Sequence, residues 1–209
     1  MPVHPSQGHY ENTLANGIAW YYRNEATPFV FRAVNRLDRD TSGLVLLAKN
    51  PYSSCVLSDA VKDHTIHREY AAIVSGKTDA SGTIDLPIAR KDGSTIERVC
   101  DPERGETAVT HYRTFAYNKD ADISFIRLLL ETGRTHQIRV HMKAIGHPLP
   151  GDFLYCPDYR FIDRQPLHST YLRFSHPVTG EKLEFSASLP EDMRKLFPDI
   201  KNPSGPVFF

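Results

Sequence analysis

The chain has 209 residues, with 25 Lys+Arg against 25 Asp+Glu, 40% hydrophobic and 24% charged residues. That composition excludes collagen, coiled coil and disorder, and a chain of this length buries roughly 70% of the surface its unfolded form exposes. One domain over residues 1–209 is the expectation.

Residues 11–22 read as a helix, with Asn12 or Thr13 near its start and Leu14, Ile18 and Tyr22 at four-residue spacing on one face. Gly43 to Ala48 is a short, continuously apolar run, the pattern of a buried strand. Asn50-Pro51 follows as an N-cap with proline at N1, opening a helix to about Lys62. Strands are expected over 69–75, 83–88, 107–116 and 123–130, the last two joined as a hairpin through Asn118-Lys119-Asp120. Residues 170–174 and 182–187 flank a second hairpin turn at His176-Pro177-Val178-Thr179-Gly180, and Leu189-Pro190-Glu191-Asp192 starts a final short helix. Strands outnumber helices and follow one another by short turns, so the expected fold is α+β with a largely antiparallel mixed sheet flanked by helices and loops.

Two segments carry chemistry. The first, Asn35-Arg36-Leu37-Asp38-Arg39-Asp40-Thr41-Ser42-Gly43, is a polar loop feeding into the apolar run, where a rigid scaffold would hold a site. Its bland alternative is a solvated turn of Asp–Arg pairs. The second runs from Glu131 to Lys143. Gly133 ends the preceding strand, Thr135 is a candidate N-cap, and Ile138, Met142 and Ile145 would face the core. Arg139 and Lys143 then share another face, and the helix N-terminal amides with Arg134 would make an anion site. From Thr132 to Gly151 there are three Lys/Arg, three His and no acid, the most one-sided stretch of charge in a neutral chain; the bland alternative is a solvated helix face. Arg68-Glu69-Tyr70 at a strand start is a third candidate, although a tyrosine there is more often core.

Other classes fit less well. Apolar runs such as Leu44–Ala48 fall far short of the ~20 residues of a membrane span, and Met1-Pro2-Val3-His4-Pro5 lacks the basic and apolar regions of a secretion signal. Cys55, Cys100 and Cys156 are odd in number, without a CxxC, which fits a reducing cytoplasm rather than a disulfide framework or zinc knuckle. His136/His141 and His64/His67 lack zinc-ligand spacing. Neutrality argues against coating nucleic acid by bulk charge and is compatible with a local basic cleft. Asp38 and Asp40 could suggest a glycosidase pair, but carboxylates two apart on one loop do not flank a sugar from opposite sides.

These residues resemble the RluA-type RNA pseudouridine synthases. That family's signature, His-Arg-Leu-Asp-x-x-Thr-Ser-Gly-Leu followed by an apolar strand ending in Ala-Lys, stands here as Asn35 to Leu44, ending at Ala48-Lys49. The resemblance continues through Arg68-Glu69-Tyr70, Gly133 to His141, Gly146 to Asp152, Leu167-His168 and His176 to Glu181. Asn35 departs from the family histidine. Relatives also carry a strand and a Lys-Pro-x-Gly turn before the Val-His-Pro segment, and some an S4 RNA-binding domain. The resemblance therefore implies a catalytic domain without that strand or an S4 domain.

The resemblance implies isomerisation of uridine to pseudouridine in structured RNA, ribosomal rather than transfer RNA, in the cytoplasm, with no cofactor, no metal and no obligate protein partner. Asp38 matches the essential aspartate, which either adds to C1′ or removes the 2′ proton. Asp38 must be ionised, which a nearby cation favours. Arg139 matches the basic residue that pairs with it, and a guanidinium suits a carboxylate bidentately. Tyr70 matches the active-site tyrosine, expected to stack on the extruded uracil and take part in losing the C5 proton. Arg36, Arg39, Arg134, His136 and Lys143 are the expected RNA contacts. A non-catalytic RNA-binding module is the competing reading.

Overall fold

The computed structural model describes residues 1–5, 10–24, 29–200 and 205–208. In chain order the elements are α1 (Leu14–Tyr21), β1 (Ser42–Gly43), α2 (Pro51–Lys62), β2 (His67–Ser75), β3 (Ser81–Asp85), β4 (Ile88–Arg90) and β5 (Arg98–Cys100). There follow β6 (Val109–Asn118), β7 (Ile123–Leu130), α3 (Gln137–Ala144), β8 (Leu167–Ser175), β9 (Lys182–Ser186) and α4 (Glu191–Leu196). A seven-stranded sheet runs β1-β8-β2-β7-β6-β3, with β9 branching from β8; only β1–β8 is parallel within it, and β4–β5 form a separate antiparallel pair. Among the described residues no helix is long and apolar enough to cross a membrane.

The central strands β2 and β7 are buried on both faces, and each face builds its own core. Tyr70, Ala72, Val74, Ile126 and Leu128 pack under Ile138 and Met142 of α3, with Ile145 at the margin. Ala71, Ile73, Ile123 and Phe125 pack under Leu189, Met193 and Phe197 around α4. The expected helices at residues 14 and 51 form with their expected caps: Thr13 in a reciprocal capping box with Asn16, and Asn50 ahead of Pro51. Both hairpins form as well.

On the second face β2 also carries a buried ion pair. Glu69 and Arg127 are both fully buried and 2.6 Å apart. Burial by itself would push the Glu69 carboxyl up, but the hydrogen bond from His67, the Val207 and Phe208 amides and the Arg127 charge together bring it below its ordinary value.

Two expected elements are corrected. The run Leu44–Ala48 is not a regular buried strand: β1 is two residues long, and beyond it there is a lone bridge, Ala33 to Leu47. The reason is Asn35, whose side chain takes the ladder position. Its Oδ1 accepts from the Leu46 amide at 2.7 Å and its Nδ2 donates to Leu44 O at 3.4 Å, so a buried side-chain amide replaces a stretch of backbone pairing. The expected strand 83–88 divides into β3 and β4, because Leu86-Pro87 interrupts it and proline offers no amide to a ladder.

Glycine is obligatory at the joint between the polar loop and the sheet. Gly43 has φ +110°, and a Cβ there would sit 2.6 Å from Ser169 N and against its carbonyl oxygen, where β1 pairs with β8. Backbone on both sides leaves no flexible neighbour to yield. Gly43→Ala is expected to destabilise by about 2–4 kcal/mol and to displace the loop before it. Thermal unfolding with the wild type as reference checks this; an unchanged melting temperature would refute it.

Candidate active site

The loop 36–41 reaches its position through tertiary ties rather than local preference. Asp38 O accepts from the Thr41 amide in a tight turn at 3.0 Å, and Ser42 Oγ lies 2.8 Å from His168 Nδ1. Arg164 Nη1 donates to Asp40 O at 3.2 Å. These bonds turn Asp38 towards α3, where Arg139 waits beneath the surface at 1% exposure.

Arg139 is the centre of the site. Its Nε and Nη2 donate to Asp152 Oδ2 and Oδ1 at 2.6 and 2.7 Å, and its Nη1 donates to Asp38 Oδ2 at 2.9 Å. The expected pairing of Arg139 with Asp38 is present, but its geometry is corrected: the bidentate partner is Asp152, and Asp38 takes the remaining side of the fork. Burial disfavours the Arg139 charge, yet the Asp152 hydrogen bonds and the two carboxylate charges hold the guanidinium well above its ordinary value. Asp152 is itself fully buried, and its Oδ1 also accepts the Leu154 and Tyr155 amides at 3.0 and 3.2 Å. The sequence reading assigned it no role. The signal was there: Asp152 is the first acid after the acid-free stretch 132–151, which holds an arginine on a core-facing helix.

Tyr70 lies on the α3 side of the sheet at 5% exposure. Burial pushes its hydroxyl up, and the Asp38 charge adds to this against Arg68, so it stays protonated at neutral pH. A ring this enclosed has little open face on the mouth of the site.

The expected RNA contacts divide. Arg36, Arg39 and Lys143 are exposed. Arg134 points elsewhere: its guanidinium pairs with Glu106 and donates to Thr107 O, so the expected anion site at the α3 N-terminus does not form. Thr135 is not the cap either. His136 occupies that position in the left-handed region (φ 59°) without a side-chain cap bond, while Gln137 Oε1 accepts the Arg134 amide and the Thr132 hydroxyl. His136 is half-buried, 2.8 Å from the Tyr155 hydroxyl, and burial lowers its pKa, so it is a neutral hydrogen-bonding group rather than a cation for phosphate. Burial likewise pushes Tyr155 up to about 12.

Cations and rings alternate across the site. Arg39 lies 4.8 Å from the Phe153 ring centre and Arg139 5.7 Å from it; Arg139 lies 5.0 Å from the Tyr155 ring and Lys143 5.5 Å from it. Of these groups Arg39, Lys143 and Phe153 are exposed, and cations beside an open ring suit contact with bases and phosphates.

The fold matches solved structures titled Human RNA Pseudouridylate Synthase Domain Containing 1 (TM-score 0.71, 26% identity, covering 84% of this chain and 73% of that one). It also matches Human RNA Pseudouridylate Synthase Domain Containing 4 (TM-score 0.70, 22% identity, 92% and 83%). Residues 1–144 match the family described as RNA pseudouridylate synthase. The chain is 47% identical over 193 residues to the Bacillus subtilis (strain 168) protein named uncharacterized RNA pseudouridine synthase YjbO, covering 92% of this chain and 67% of that protein. It is 40% identical over 217 residues to ribosomal large subunit pseudouridine synthase D of Zymomonas mobilis, covering 94% and 66%. The chain belongs to the RNA pseudouridylate synthase family, and it spans about two thirds of the length of these curated relatives.

Two outcomes follow from the site's electrostatics. Asp152→Ala strips a buried guanidinium of its bidentate partner and should cost about 3–5 kcal/mol, on the order of ten degrees in melting temperature. Asp40→Ala removes the partly exposed partner of exposed Arg39 and should cost about 0–1 kcal/mol. Equal shifts in the two variants would refute that ordering.

The pH dependence has a definite sign. His136, His141 and His168 all have their pKa lowered by burial, so the folded state prefers them neutral while the unfolded chain protonates them near ~6.5. Stability is therefore fully present above that value and falls as pH drops below it, by up to about 1.4 kcal/mol per pH unit for each histidine. His141 is held between Thr110 Oγ1 and Leu86 O at 2.9 Å each, so His141→Gln should flatten melting temperature against pH between about 6.5 and 5. A curve parallel to that of the wild type would refute it.

Proposed function

We propose that this chain isomerises uridine to pseudouridine within RNA, with Asp38 as the carboxylate that acts on the sugar. The observation that carries the reading is the Asp38–Arg139–Asp152 cluster, with Asp38 24% exposed at its outer end and Arg139 shielded behind it. In the reaction the N1–C1′ bond breaks, the uracil turns, C5 bonds to C1′, the C5 hydrogen leaves as a proton and N1 takes one up. A carboxylate suits electron-deficient C1′, either by adding to it or by taking the 2′ proton. The balance of atoms calls for no cofactor. Arg139 would orient the carboxylate through its single hydrogen bond to Oδ2. Tyr70, kept protonated by burial, is better suited to enclosing the base than to removing its proton.

Arg36, Arg39 and Lys143, exposed around the mouth, are proposed to meet the phosphates of the flipped nucleotide, which offsets the few kcal/mol of extrusion. His136 and Arg134 are proposed to act indirectly, by fixing Tyr155 and the turn before α3. Relatives named for the ribosomal large subunit favour ribosomal RNA as the substrate, and with it a cytoplasmic location.

Release of tritium from RNA labelled at uridine C5 tests the reading, because the isomerisation must expel that hydrogen. Wild type should release it and Asp38→Asn should lose at least about three orders of magnitude in rate while retaining RNA binding. Equal release by both would overturn the role of Asp38, and RNA binding without release by the wild type would favour a binding module.

A further inference from the structure

Tyr70 and Tyr155, the rings beside the Asp38–Arg139 pair, are 5% and 7% exposed. Phe153 is different. It is 41% exposed, its ring centre 4.8 Å from the Arg39 guanidinium carbon and 5.7 Å from that of Arg139, the residue that bonds Asp38. What sets Phe153 apart from other exposed rings is its place, open to solvent between the guanidinium that bonds Asp38 and that of Arg39.

Its mounting is rigid. Gly151 turns the chain at φ +78°, with carbonyl oxygens of Ile162 and Arg164 packed where a Cβ would go. The buried Asp152 carboxylate accepts the two amides just after Phe153, and Asp152 and Cys156 close a bridge around it. The ring is therefore held at the tip of a turn whose root is the same carboxylate that grips Arg139. Such coupling fixes the ring relative to Asp38, as a positioned contact requires.

Its cover, by contrast, is loose. Arg39 has a 45% exposed side chain, and among the described residues its guanidinium bonds to the carboxylate of its partly exposed neighbour Asp40 and lies across the Phe153 ring. A surface pair of this kind contributes about 0–1 kcal/mol and gives way to a competing phosphate.

We propose that Phe153 is the stacking face for the extruded uracil, and that Arg39 leaves the ring on RNA binding to take the adjacent phosphate. This assignment rests on the uridine-isomerising reading and adds a ring at the mouth to the one that Tyr70, at 5% exposure, offers deeper in the site. Uracil stacks on an aromatic ring regardless of its edge hydrogen bonds, so a residue in this role grips the base while letting it turn in its own plane.

The test is a series at residue 153. Phe153→Ala is expected to lower kcat/KM for C5-tritium release by about ten- to hundredfold, the worth of one base stack, with the melting temperature unchanged. Phe153→Tyr and Phe153→Trp should recover most of that loss, and Phe153→Leu, apolar but without a π face, should not. In the Asp38→Asn background, where turnover is removed, adding Phe153→Ala should weaken binding of a uridine dodecamer by a similar factor. Unchanged kinetics and binding in Phe153→Ala, or recovery by Leu equal to that by Tyr, would overturn the proposal. If the wild type releases no tritium, the isomerase reading fails and the dodecamer comparison alone decides whether Phe153 stacks on bases.

Discussion

A guanidinium at 1% exposure is the constraint around which this molecule is arranged. Taken out of water alone, such a charge costs several kcal/mol after relaxation, so Arg139 cannot sit in α3 unless carboxylates come to it from elsewhere in the chain. Two do. Asp152 supplies the matched fork–fork geometry from the turn after α3, and Asp38 arrives from a loop 101 residues away in sequence. The division matters chemically. With Asp152 already matched to the fork, Arg139 gives Asp38 one hydrogen bond through one oxygen, which orients the carboxylate without engaging it on both oxygens.

The rest of the fold delivers those groups. The long central strands β2 and β7, buried on both faces, provide the platform. On one side α3 lies across Tyr70, Ala72 and Val74; on the other, the Glu69–Arg127 pair and the Val207 and Phe208 amides complete a separate buried network. Neighbouring residues of one strand thus serve opposite purposes, with Tyr70 at the candidate site and Glu69 behind it. The register shift between them in the β2–β8 pairing marks the changeover. The parallel pairing of Ser42–Gly43 with His168–Ser169 anchors the loop that carries Asp38 to the same sheet, and Gly43 permits that approach.

Most of the local architecture was legible in the sequence because its causes are local. Asn50-Pro51, Thr13 at the start of α1, the Asn118 turn and the Ile138/Met142/Ile145 spacing each act within a few residues, and each formed as read. Two of the misreadings have a different cause. Leu44–Ala48 has the composition of a buried strand, but a side chain nine residues upstream of Leu44 occupies its ladder. Thr135 has the chemistry of a cap, but Gln137 satisfies the Arg134 amide instead. At Leu44–Ala48 a polar side chain outcompeted the backbone pattern that hydrophobic periodicity predicts.

The sequence by itself determined the family and the identity of Asp38, Tyr70 and Arg139 as site candidates, since residue type and spacing are written along the chain. It also determined that the charge around α3 is one-sided. Which acid holds which base was decided only by the tertiary structure. Arg134 and Arg139 lie five residues apart in the same acid-free stretch, yet one pairs with exposed Glu106 and the other is buried between Asp38 and Asp152. Nothing local distinguishes those partners, because the energy of a charge depends on what three-dimensional burial removes from around it, and burial is a property of the whole packed chain.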